Sequence, residues 1–131
     1  MDTYILNTKD LSKTYRSNEL VVKAVSKVSL QVKPGEFIAL VGPSGSGKTT
    51  MLALLATLLE ATDGHIYIDG KPFDNMNDTQ RAKFRREKIG FTFQANNLVP
   101  YLTAIENVQL MLRLNKIYNS SEAERAKQLL I

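Results

Sequence analysis

Phe37 to Leu59, FIALVGPSGSGKTTMLALLATLL, is the stretch whose reading decides the fold. It reads as strand, glycine-rich loop and helix. Phe37–Val41 is an unbroken apolar run with two branched aliphatics, Ile38 and Val41, as a strand buried on both faces should be. Gly42, four further residues, Gly47, Lys48 and Thr49 satisfy G-x-x-x-x-G-K-[ST] in full. A helix-length apolar segment follows without a break. Such a loop wraps a polyphosphate with its backbone N–H groups, which only small residues allow close enough. The helix N-terminus adds unpaired N–H donors and the positive end of its dipole. In that arrangement Lys48 reaches the β- and γ-phosphates as a point charge, and Thr49 offers its hydroxyl to Mg²⁺. The stretch points to a bound nucleoside triphosphate.

Upstream, Tyr4–Leu6 is a short apolar start, followed by LSKTYRS (Leu11–Ser17). Val28, Leu30 and Val32 alternate with Ser29, Gln31 and Lys33, which predicts a half-buried strand. Pro34-Gly35 is a strong turn signal. Downstream, Asp63-Gly64 reads as a turn, His65–Asp69 (HIYID) alternates again, and Asp69-Gly70 reads as another turn. The first seventy residues are therefore expected to form an antiparallel sheet layered beside the phosphate-binding core. An apolar strand ending in aspartate also resembles a Mg²⁺-positioning motif. HIYID alternates and is enclosed by Gly64 and Gly70, so Asp69 is read as a turn residue. His65, the only histidine, is assigned no role.

Lys71–Asp78 is loop-like, and Asp78 or Thr79 is positioned to cap a helix through Arg81–Lys88. That segment, RAKFRREK, carries five basic residues and one acid. It could present an anion or partner surface, but a solvated helix face is the favoured reading. Ile89–Phe93 (IGFTF) regains strand character and delivers Gln94, and Asn96, Asn97 and Pro100 mark a loop. Thr103 with Glu106 forms a capping box for a helix through Leu114. Ser121 with Glu124 suggests a second box for a helix that reaches Leu129-Leu130-Ile131 without a polar stop. That ending is the expectation of a chain cut short of its domain.

The bulk numbers set limits. At 131 residues the chain is at most one ordinary domain, and 44% hydrophobic with 23% charged residues is a globular composition. No run approaches the roughly 20 apolar residues needed to span a bilayer. MDTYILNTKD does not read as a signal peptide. With no cysteine there are no disulfides or thiolate metal sites, as suits the cytosol. A net charge of +4 could suggest nucleic acid or an anionic membrane surface, but it is too modest to decide, and a triphosphate site needs positive charge in any case.

Taken together these residues resemble the ATP-binding cassette of ABC transporters. LSKTYRS is similar to the segment whose aromatic, here Tyr15, stacks on adenine. GPSGSGKTT is the family's form of the phosphate loop, which implies Gly42, Pro43, Ser44, Gly45, Ser46, Gly47, Lys48, Thr49 and Thr50 as nucleotide-binding residues. TDGHIYIDGKPF looks like the hairpin between that loop's helix and the next subdomain. RREKIGFTFQANNLVPYLTAIENV resembles the Q-loop region, with Gln94 as the glutamine that approaches Mg²⁺ and the attacking water. Its wording is most like the lipoprotein-release and macrolide-export branch.

The resemblance implies an α/β fold: a P-loop NTPase core with an N-terminal antiparallel β layer, truncated before the signature helix and the Mg²⁺-binding strand. Residues 1–131 would be the N-terminal portion of one domain. Within it, 1–36 and 61–72 form the β layer, and 37–60 the phosphate loop and its helix. Residues 73–114 supply a helix, the Q-loop strand and the following helix, and 118–131 start the helical subdomain. The cofactors implied are ATP and Mg²⁺, with Lys48 and Gln94 catalytic and Thr49 and Gln94 at the metal. The partners implied are membrane subunits and a second, head-to-tail ATPase subunit, at the inner face of the membrane, with no nucleic acid. The family's LSGGQ signature, Asp-Glu strand end and switch histidine do not follow Gln94. Hydrolysis is therefore expected to be incomplete, and apolar surface beside Phe37–Val41 exposed. A stand-alone, non-catalytic nucleotide-responsive module is the alternative. A small-molecule kinase would leave LSKTYRS and the Q-loop wording unexplained.

Overall fold

The computed structural model describes residues 4–95 and 97–130. Asn96, expected in a loop, and Ile131 lie outside the described residues. The chain divides into two compact units, 1–82 and 83–131.

The first unit is built on an antiparallel sheet. β1 (Leu6–Ser17) is its longest strand and lies at its centre. β2 (Leu20–Val28) pairs with β1 from Leu11 to Ser17, and β3 (Gln31–Val32) pairs with Leu6 and Asn7. β4 (Asp63–Ile68) pairs with the other edge of β1, and β5 (Lys71–Pro72) closes a hairpin on β4. The strand expected over 28–33 is interrupted at Ser29-Leu30. Thr8 explains the break, since its hydroxyl donates to Val28 O at 3.1 Å and accepts from Leu30 N at 2.9 Å. Buried Thr8 thus serves the Val28 carbonyl and the Leu30 N–H with its side chain, while its own N–H donates to Leu30 O at 2.8 Å.

The Pro34-Gly35 turn closes as expected, with Glu36 N donating to Lys33 O at 3.3 Å. Asp69-Gly70 forms the two-residue turn of the β4–β5 hairpin, with φ of 52° and 72°, as such tight loops require. Asp69 is accordingly a turn residue. Asp63-Gly64 is a correction: the pair opens β4 and makes no turn. There the β1–β4 register shifts between Lys9 and Ser12, and Gly64 lies directly on the Asp10 and Leu11 backbone. A side chain at that bulge would overlap main chain, which is why glycine stands there.

Helix α1 (Lys48–Leu55) is shorter than its apolar sequence suggests. Thr57 takes φ 58° just past the C-cap, Thr57 N donates to Leu54 O, and Leu58 N donates to Ala53 O. These are the bonds of a Schellman stop. Leu11, Val25, Met51, Leu54, Ile66 and Phe73 are buried in this unit.

α2 (Asp78–Lys88) is capped one residue earlier than expected. The Asn77 carboxamide oxygen accepts from Gln80 N at 2.9 Å, and Gln80 Oε1 accepts from Asn77 N at 3.0 Å. Asparagine and glutamine therefore build the reciprocal box. Arg81 pairs with Glu60 and donates to Asp74 O at 3.3 Å. Most other charged side chains of α2 are exposed, in keeping with a solvated face.

In the second unit, α3 (Ala104–Leu114) begins at the expected Thr103–Glu106 capping box. Asn107 secures the preceding loop, accepting from Val99 N at 2.8 Å and donating to Val99 O, Leu102 O and Thr103 O. α4 (Ser120–Gln128) is capped by Asn119, which accepts from Glu122 N at 2.9 Å, and not by Ser121.

Two expected strands are absent among the described residues. Phe37–Val41 and Ile89–Phe93 have strand composition but no ladder. Phe37 is 96% and Val41 93% exposed, while Phe91 and Phe93 pack edge to face at 4.6 Å. A strand exists only in a pair, and neither segment has a pairing neighbour in its unit. The exposed apolar surface expected beside Phe37–Val41 is present.

Thr103 donates to the Glu106 carboxylate from its backbone N–H at 2.8 Å and from its hydroxyl at 2.7 Å. The backbone bond, then the hydroxyl bond, hold the Glu106 carboxyl below its ordinary value. A lowered folded-state value means that the contribution to α3 is complete above the ordinary carboxylate range. It is lost as pH falls through the lowered value. In an acid titration followed by far-UV circular dichroism, Glu106→Gln should lack a step that the wild-type chain shows. Identical profiles would remove this role from Glu106.

Candidate functional site

The site is built where α1 begins. Gly47 takes φ 90° at the N-cap and has no side chain to cap the helix. The first helical N–H groups therefore face outward as donors for an anion. Met51 N closes the first turn on Gly47 O at 2.8 Å. The loop doubles back on itself, with Ser46 N donating to Pro43 O at 3.3 Å. Lys48 Nζ donates to Gly42 O at 2.7 Å and Pro43 O at 2.6 Å, and reaches Ser46 Oγ at 3.4 Å. One ammonium thus fastens both ends of the glycine-rich loop. A Cβ on Gly42 would meet Ser46 Oγ at 2.7 Å, which the serine relieves by turning its side chain.

Gly47 fixes the loop to the sheet. A Cβ there would overlap the carbonyl oxygen of Ala24 in β2. Ala24 is two residues from Val22, and Val22 pairs with Tyr15 of β1. The register therefore runs from the loop through Ala24 and Val22 to Tyr15, which is 43% exposed. A cavity of about 360 Å³ adjoins the loop, and its lining includes Val25, Val28 and Met51 as well as Gly42, Pro43 and Lys48.

Seven of the expected binding residues, Gly42 to Lys48, form this loop, and Thr49 and Thr50 follow in the first turn of α1. Tyr15 lies on the sheet that carries the loop. Gln94 belongs to the second unit, exposed in a bend of irregular chain. The donor set fits a polyphosphate: backbone N–H groups, one ammonium and an exposed Thr49. Among the described residues no group of three or more His, Asp or Glu side chains could hold a metal.

Two contacts escaped the sequence. Ala24 carries no chemical signal and matters only through its carbonyl. Lys13 places its ammonium 5.4 Å from the centre of the Tyr15 ring. Its signal was spacing alone, two residues along one strand.

An antiparallel layer beside a glycine-rich loop and the helix it opens defines the class of ABC-type ATPase cassettes. The chain belongs to the ABC transporter family, whose model matches residues 25–130. It is 43% identical to the ABC transporter ATP-binding protein MJ0796 of Methanocaldococcus jannaschii, over 96% of this chain and 54% of that protein. The lipoprotein-releasing system ATP-binding protein LolD of Francisella tularensis is 39% identical, over 94% and 53%. The macrolide export ATP-binding/permease protein MacB of Syntrophobacter fumaroxidans is 44% identical, over 82% and 15%. A dimeric structure of MJ0796 in a post-hydrolysis state, bound to ADP and Pi, superposes with a TM-score of 0.85. That match covers 95% of this chain and 54% of the other. The chain thus spans about half the length of MJ0796 and LolD.

Gly47→Ala should lift the loop off β2. The left-handed backbone alone costs about 1–2 kcal/mol, and the overlap with Ala24 adds to it. Gly45→Ala, with φ 77° but open space around the new Cβ, should cost only the first part. Urea unfolding of the two variants measures the difference, and equal losses would refute the seating of Gly47 on Ala24.

Proposed function

We propose that this chain is the nucleotide-binding part of an ABC transporter ATPase, holding Mg·ATP on the loop Gly42–Thr50. The observation that carries the reading is the loop itself, seated on β2 through Gly47 and opening α1 with its N–H groups outward. To take a triphosphate, Lys48 exchanges the carbonyls of Gly42 and Pro43 for phosphate oxygens. The exchange replaces neutral acceptors with charged ones, whose hydrogen bonds are roughly twice as strong. Thr49 holds Mg²⁺ through its hydroxyl, and Tyr15 stacks on the adenine. Bound Mg²⁺ supplies neutralisation of charge on the phosphates. Gln94 approaches the metal and the attacking water, and Lys48 and Gln94 are the catalytic groups of this chain.

The same reading divides the chain functionally. Residues 1–36 and 61–72 are the β layer, 37–60 carry the phosphate loop and its helix, and 73–114 carry the Gln94 segment. Residues 118–131 begin the helical subdomain. Hydrolysis draws on groups in the remaining length of the relatives, so this portion alone binds more competently than it hydrolyses. Two such subunits close head to tail on ATP, and closure moves membrane subunits at the inner face of the membrane. The dimeric structures of MJ0796 support the pairing of two such subunits. Among the described residues no helix is long and apolar enough to cross a membrane. The relatives favour this reading over a stand-alone binding module.

Calorimetric titration with Mg·ATP tests the site. Lys48→Ala should abolish detectable binding. Tyr15→Ala should weaken it by about 1–2 kcal/mol, the scale of one base stack. Unchanged titrations for both variants would overturn the assignment.

A further inference from the structure

Tyr15 does not stand alone on β1. Lys13, two residues earlier, shares its face, and the lysine ammonium lies over the tyrosine ring at 5.4 Å. The same nitrogen donates to Glu60 O at 2.7 Å, in the segment that follows α1. Further bonds close this seam between β1 and the segment after α1. Thr62 N donates to Ser12 O at 2.8 Å, and Thr14 N donates to Thr62 Oγ1 at 3.0 Å. The ammonium is therefore anchored by a main-chain acceptor of fixed position while it covers one face of the ring.

We propose that Lys13 is a positioning residue for the base of the bound nucleotide, holding one face of Tyr15 so that the other is presented for stacking. This rests on the reading of Tyr15 as the adenine platform. Two effects act together. A ring clamped on one face loses less freedom when a base arrives on the other, so less binding energy is spent on ordering it. A cation also draws on the negative π-face, which eases the approach of a second π-system to the opposite face. Lys13 should therefore act on the base and leave the triphosphate alone. Its link to Glu60 also ties the base platform to the chain leaving α1, so one seam sets the spacing between base and phosphates.

The test titrates Mg·ATP and Mg·tripolyphosphate into the full chain and into Lys13→Met and Lys13→Arg. Methionine keeps an unbranched apolar stem and removes the charge, whereas arginine keeps a cation able to reach both partners. Lys13→Met should weaken ATP binding roughly two- to five-fold, the scale of one partly exposed cation–π contact. Tripolyphosphate binding should not change, and Lys13→Arg should restore ATP affinity. Equal weakening of both ligands would assign the effect to the loop or to folding and overturn the proposal, as would unchanged ATP binding. A wild-type chain that holds tripolyphosphate as tightly as ATP would overturn the base platform and the proposal together. A wild-type chain that binds neither ligand would instead overturn the nucleotide reading on which both stand.

Discussion

The first unit depends on one close approach, Gly47 against the Ala24 carbonyl. Main chain meets main chain there, with no side chain between them, so the distance from loop to sheet cannot drift. The sheet beneath is fixed by β1, which pairs with strands on both edges. A loop of small residues has little packing of its own and takes its order from what it touches. Lys48 completes the arrangement from above by joining the Gly42 and Pro43 carbonyls. The Lys48 bonds are ones that a bound triphosphate replaces, so the order that reduces what binding must spend is the seating of Gly47 on Ala24.

A second constraint crosses the same unit. The stretch Ser12–Thr14 of β1 is bonded to Glu60 and Thr62 after α1. The helix that begins at the loop is therefore returned to the strand that carries Tyr15. Its stop is built for this return: Thr57, buried and left-handed, turns the chain immediately after α1. A β-branched residue is costly in that conformation. The cost is sustained because the turn aims Glu60 and Thr62 at β1.

Much of this was legible where chemistry is local. The glycine-rich motif located the loop, Asp69-Gly70 and Pro34-Gly35 located turns, and Thr103 with Glu106 located the start of α3. The failures are also physical. Asn77 and Asn119 cap α2 and α4, although serine, threonine and aspartate nearby offered equally good patterns. An amide caps as well as a hydroxyl, and sequence alone does not rank adjacent candidates. Phe37–Val41 and Ile89–Phe93 were read as strands from composition, but a ladder is a property of two segments. The site residues show the same division. The loop residues are contiguous and announce themselves, whereas the partner of Lys13 lies 47 positions away and contributes only a carbonyl.

The exposed run FIALV has a bearing on how this chain behaves in concentrated solution. Five uncharged apolar residues, with Phe37, Ile38 and Val41 of high strand propensity and no proline, form the kind of segment that seeds cross-β assembly. Its neighbours oppose that outcome. Glu36 places a charge at one end, and at the other Gly42-Pro43 ends strand propensity and removes a backbone donor. Pro43 thus serves solubility as well as the shape of the loop. A substitution chosen there only for its effect on nucleotide affinity would also remove a gatekeeper against aggregation.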